Sequence, residues 1–128
     1  VKHITFIILL IALSVFCVAD YTKDQSVKMS YSDMRDFLII DQTDKTPYDI
    51  DRYNCVDYSK EIKEKAMDFG LICYPAVLHY PDRAHMILVF ETSDAGKVFV
   101  EPQSDERVYP VVGEYFYGSG PIEEITYY

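Results

Sequence analysis

The chain has 128 residues, one domain's worth, and its 49% hydrophobic and 26% charged content supplies a packed core and excludes general disorder. With 12 Lys+Arg against 21 Asp+Glu, the formal net charge is -9. Such a surface repels phosphate backbones, so nucleic acid is excluded as a partner.

Lys2 and His3 precede an apolar run from Ile4 to Ala19 that only Thr5 and Ser14 interrupt. Cys17-Val18-Ala19 then offers small residues at the first and third positions ahead of Asp20. Residues 1–19 therefore read as a cleavable signal peptide, which predicts an extracytoplasmic protein. The run is shorter than the ~20 residues a spanning helix prefers. The alternative is an uncleaved membrane anchor, and membrane contact is expected only through that segment.

Residues 20–29 are polar and read as a tether, and residues 30–128 as the domain. Ser30, with Asp33 three residues on, starts a helix whose apolar stripe is Met34, Phe37 and Leu38. The segment from Asp41 to Arg52 carries four Asp and Pro47 but lacks the central Gly and closing Glu of an EF-hand. It is expected to be a solvated loop. Asn54 is a candidate N-cap with Asp57 at the third helical position, and Gly70 a candidate stop, which predicts a helix from Cys55 to Phe69. Cys55, Ser59, Ile62, Ala66 and Phe69 share one face of it. Apolar runs then predict strands at 71–80, 85–91 and 97–101, with weaker candidates at 107–112 and 122–127. The expected class is α+β, with two helices packed on an antiparallel sheet.

Beyond the signal the chain keeps two cysteines, Cys55 and Cys73, and in an oxidising compartment the default for such a pair is a disulfide. Helix geometry argues against it. The helix carries the chain ~21 Å away from Cys55 at ~1.5 Å per residue. Returning at ~3.3 Å per residue, the next strand still leaves Cys73 more than ~10 Å from Cys55. A disulfide needs α-carbons within ~7 Å. The same arithmetic brings His79, His85 and the segment from Glu101 to Gln103 back to the level of Cys55. A thiol at a helix's first turn feels the positive dipole end and ionises readily. An imidazole can hold the thiolate and move protons, and a carboxylate can fix the ring's orientation.

The stretch from Tyr53 to Asp105 resembles the transglutaminase-like branch of the papain-like cysteine enzymes, most closely its small exported prokaryotic members. The matching positions are Asn54-Cys55-Val56-Asp57-Tyr58-Ser59 opening a helix that ends at Gly70, His85 opening a strand, and Glu101-Pro102 closing the next. The resemblance implies a papain/transglutaminase-like core. It also implies a cysteine hydrolase or acyltransferase acting on peptide or side-chain amides of protein or cell-envelope substrates. The triad would be Cys55, His85 and Glu101, with no cofactor and no metal. Ile87 stands where the family usually has an aromatic, and Glu101 where it has Asp. A catalytically inactive binding or envelope-structural module is thus the alternative. Gln103 is an accessory candidate for orienting the ring, and His79 is the rival base. Cys73, His79 and His85, six residues apart, are the residues of a competing zinc reading that lacks any close ligand pair.

Overall fold

The computed structural model describes residues 28–116 and 120–128. The signal expected over residues 1–19 and most of the expected tether lie outside these residues. The tether's last two residues are docked: Lys28 pairs with Glu91 at 2.6 Å, and the Met29 carbonyl accepts from Ser93 N–H at 3.0 Å.

Helix α1, Tyr31–Ile40, opens at Ser30 with a reciprocal cap. Asp33 N–H donates to Ser30 Oγ at 3.1 Å, and Ser30 N–H donates to the Asp33 carboxylate at 2.8 Å. A 3-10 turn at Thr43–Lys45 follows. Helix α2, Cys55–Phe69, begins with the same device, Asn54 and Asp57 exchanging bonds at the cap. It stops at Gly70, whose φ of 97° lets Leu71 N–H turn back to the Ala66 carbonyl at 2.9 Å. A β-carbon at Gly70 meets nothing within 4 Å, so only backbone strain opposes one. Gly70→Ala is therefore expected to destabilise the fold by about 1 kcal/mol, measured by urea titration. Tyr58, which the helical face read from sequence left out, is buried, and its hydroxyl donates to the Thr46 carbonyl.

Strands β1, Ile72–His79, β2, Ala84–Thr92, β3, Gly96–Glu101, β4, Glu106–Val108, and β5, Glu124–Tyr127, form one antiparallel sheet in the order β4-β3-β2-β1-β5. Alternation sends Cys73, Leu88, Phe90, Val98 and Val100 to one face, where they pack with Met34, Phe37, Leu38, Ile62 and Ala66 of the helices. Ala76, Leu78, Ile87 and Val89 point to the other face and pack with Ile122, Phe116 and Ile125. Leu88, Val89 and Phe90 are all 0% exposed, so β2 is buried on both sides.

That double burial corrects the fold class expected from sequence. The α+β, papain/transglutaminase-like core gives way to a β-rich fold. Its body is a five-stranded antiparallel sheet, and its two short helices cover one face only. Phe116 and Ile122, outside the strands, pack on the second face, and the Val112–Ile122 bridge lies in the same region. The amphipathic helices were conspicuous in the sequence because their period is. The near-continuous apolar run of β2 marks a central strand. The acidic loop is corrected at its start, while Pro47, Tyr48 and the residues from Ile50 to Arg52 are exposed. Asp41 is 6% exposed, and its carboxylate accepts from Thr43 Oγ1 at 2.9 Å and Lys65 Nζ at 3.1 Å.

Candidate functional site

Cys55 is the first residue of α2, where the cap leaves the helix's positive end pointing outward. α2 lies across β1 and β2, which brings that end beside the start of β2. The Met86 N–H donates to the sulfur, and the His85 side chain hydrogen-bonds it. The His85 bond is the main cause holding the Cys55 thiol below its ordinary pKa. Burial opposes it, the Met86 amide adds to it, and the Glu101 charge acts against it.

Glu101 closes β3 and is 5% exposed. Its Oε2 lies 2.6 Å from His85 Nε2, while its Oε1 accepts from Gln103 N–H at 3.3 Å. With Nε2 engaged by the carboxylate, Nδ1 is the ring nitrogen left to face the sulfur. Burial pulls the His85 pKa down. Its bonds to Cys55 and Glu101 outweigh that and raise it to about 9. The contact that pushes the thiol down also helps to push the imidazole up, so each favours the charged form of the other.

The structure thus brings Cys55, His85 and Glu101 together. Gln103 lines the same cleft, in the turn after β3 and not on the strand. His79 is not part of the site. It ends β1, opposite Ala84, and its Nε2 lies 2.5 Å from Thr126 Oγ1 on β5. Cys55 and Cys73 are both free thiols. Cys73 packs in the core between sheet and helices, where burial pushes its pKa up to about 12. With Cys73 in the core and His79 bonded across to β5, the residues of the zinc reading do not converge. Among the described residues, no group of three or more His, Cys, Asp or Glu is placed to hold a metal ion.

The cleft above the sulfur encloses about 830 Å³. Tyr48, Tyr80 and Ile50 give it apolar walls, and Asn54, Gln103 and Ser104 give it polar groups. Sequence reasoning missed this wall, because Tyr48 and Ile50 sit in the segment taken as a solvated loop. Tyr48 stacks on Tyr58, with ring centroids 6.4 Å apart, and Tyr58 is itself buried. The lone aromatic Tyr48 and the nearby Ile50 within an acidic loop were the available signal.

No protein-family model matches the chain, and no curated protein matches it. Several solved structures are similar to the chain, and two of them match it equally well. One is the PSL1a–E64 complex, at TM-score 0.56 and 16% identity, over 62% of this chain and 34% of that one. The other is the Polyporus squamosus lectin bound to a human-type influenza-binding epitope, at TM-score 0.56 and 16% identity, over 63% of this chain and 34% of that one. The chain spans about a third of the length of these solved chains. The likeness is one of fold.

These findings correct the function that the resemblance implied. The structural neighbours are lectins and not transglutaminase-like proteins, so the transglutaminase-like amide hydrolase or acyltransferase is set aside. Its alternative, an inactive module of that same family, is set aside with it. The family's motif spacing is short and local. A helix start, a strand start and a strand end recur wherever a helix packs on an antiparallel hairpin.

Proposed function

We propose that the cleft is a reactive-thiol site, in which Cys55 is the nucleophile toward an electrophilic carbon of a bound ligand. The sulfur–carbon bond forms as the leaving group departs, and the His85 imidazolium is positioned to supply a proton to it. Glu101 keeps the ring in place. The observation that carries the reading is the chain of contacts from the Cys55 sulfur through the His85 ring to Glu101, which is 2.6 Å from Nε2. The apolar stretch from Ile4 to Ala19 supports a location outside the cytoplasm.

Iodoacetamide at pH 6 tests it. An ordinary thiol with a pKa of ~8.5 is almost fully protonated there. Mass spectrometry is expected to find carbamidomethyl on Cys55 and none on Cys73, whose buried thiol stays protonated. Equal labelling of the two, or none on Cys55, would sink the proposal.

A saccharide ligand is a second reading, favoured by the lectin likeness. Planar Tyr48 and Tyr80 offer faces to a sugar ring, and Asn54, Gln103 and Ser104 offer hydrogen bonds to hydroxyls. Protection of Cys55 from alkylation by the lectin's epitope would support it. Unchanged alkylation at millimolar epitope would count against it.

A further inference from the structure

Arg83 lines the cleft together with Cys55, yet neither the sulfur, the imidazole nor Glu101 uses it. It stands two residues before His85, just ahead of β2. At ~3.3 Å per residue the two α-carbons are about 7 Å apart, and side chains two apart on an extended chain leave by the same side. Arg83 and the reactive groups therefore border one space.

Its position is set twice. The Tyr80 N–H donates to the Arg83 carbonyl at 2.8 Å, which closes the turn between β1 and β2. The guanidinium then lies over the Tyr80 ring, 5.9 Å from its centroid, and that ring is seated in the core cluster of the sheet's second face. Stacking engages the face of the guanidinium and leaves its N–H edge free. Among the described residues, none of the ion pairs includes Arg83, not even one with its neighbour Asp82. Acids are in surplus in this chain, 21 against 12 Lys+Arg, and still this cation is left without one.

Arg83 is also the one Lys or Arg lining the cleft, where the other charged groups are His85, Glu101 and Glu106. Glu101 is taken up by the His85 ring and the Gln103 amide, and Glu106 accepts from Ser104 Oγ at 3.5 Å. One guanidinium in a cleft with two carboxylates suits a single negative charge and disfavours a doubly charged phosphate. Its planar fork of donors matches a carboxylate.

We propose that Arg83 selects the ligand of the reactive thiol, and that this ligand carries a carboxylate beside its electrophilic carbon. The guanidinium holds the carboxylate and so presents the carbon to the Cys55 sulfur, while Tyr48 and Ile50 offer apolar surface to the remainder. The ligand's reaction rests on the reactive-thiol reading; the carboxylate site at Arg83 does not.

Iodoacetate is the smallest probe of this kind. The sulfur bonds to its methylene carbon as the carbon–iodine bond breaks, and iodide leaves with the electron pair. Rates of Cys55 alkylation by iodoacetate and by iodoacetamide at pH 6 are compared as a ratio, in which the thiolate fraction cancels. A unit charge ~7 Å from the anion at a partly solvated site changes its rate about 3–10-fold, so the iodoacetate-to-iodoacetamide ratio is expected to fall by that factor in Arg83→Gln. It should rise in Glu106→Gln, which removes an opposing charge. An equal ratio in the wild type and Arg83→Gln overturns the proposal and leaves the thiol reading intact. If iodoacetamide itself fails to label Cys55, the thiol reading falls and carboxylate binding decides alone. Benzoate, and not benzamide, should then shift the Arg83 Nε–H resonance saturably. Benzoate that leaves this resonance unmoved, or benzamide that moves it equally, overturns the carboxylate site.

Discussion

Replacing His85 with Ala is expected to slow alkylation of Cys55 by iodoacetamide at pH 6 roughly 10–100-fold. An isolated thiol with a pKa of ~8.5 is about 0.3% ionised at that pH, so full ionisation could raise the rate at most ~300-fold. Part of that gain is returned, because a less basic thiolate is a weaker nucleophile, with a Brønsted slope of ~0.4–0.5. The ring is the first cause of the lowered Cys55 pKa, ahead of the Met86 amide. Its loss should also uncover the Glu101 carboxylate, whose charge raises the thiol's pKa. Second-order rates measured from pH 5 to pH 9 separate the effects. The wild type should hold its rate to lower pH than the variant, whose rate should fall tenfold per unit below its own thiol pKa. Parallel profiles would show that the helix terminus, and not the imidazole, ionises the sulfur. Cys55 would then be a polarised surface thiol without a proton partner.

The largest loss of stability is expected from Phe90→Ala, about 3–5 kcal/mol by denaturant titration. Phe90 is 0% exposed toward the end of β2, opposite Cys73 on β1, and its ring lies 6.3 Å from that of Phe37 on α1. The ring fills the space between sheet and helices. β2, hydrogen-bonded along both edges to β1 and β3, cannot collapse into a void, so the cavity term adds fully to the lost burial. Domains of this size have only about 5–15 kcal/mol to lose. A cost below ~2 kcal/mol would mean that α1 re-seats on the sheet and that the helix-covered face is softer than its burial indicates.

The elements that could be read from sequence were those whose ends carry their own chemistry. Ser30 with Asp33, and Asn54 with Asp57, are local signals, and the helices begin where these pairs put them. Gly70 stops α2 for an equally local reason, its positive φ. The meeting of Cys55, His85 and Glu101 followed from rise per residue, because α2 and the hairpins run straight between turns. What could not be read depends on groups far apart in sequence. Asp41 looked solvated until Lys65, a helix turn beyond Glu61, reached across to it. Asp44 and Asp105 line one cavity only because the turn after β3 lies beside the 3-10 turn. Nothing local distinguishes either from a surface acid. The fold class failed for a related reason. Helical periodicity is visible in any window, whereas the irregular cover on the sheet's second face, around Ile122 and Phe116, has no period to find.

The strand order has a kinetic consequence. Four strands, β1 to β4, pair with their neighbours in sequence, each through a short reversal, so their contacts close small loops. β5 alone joins out of turn, with Glu124 returning to His79 after the chain has left the sheet. Closing that long loop carries the larger entropy cost, and such non-local pairings form late in refolding. The hairpins that carry His85 and Glu101 would thus assemble ahead of the C-terminal strand. A chain stalled short of its last step would already have the chemistry of its cleft in place.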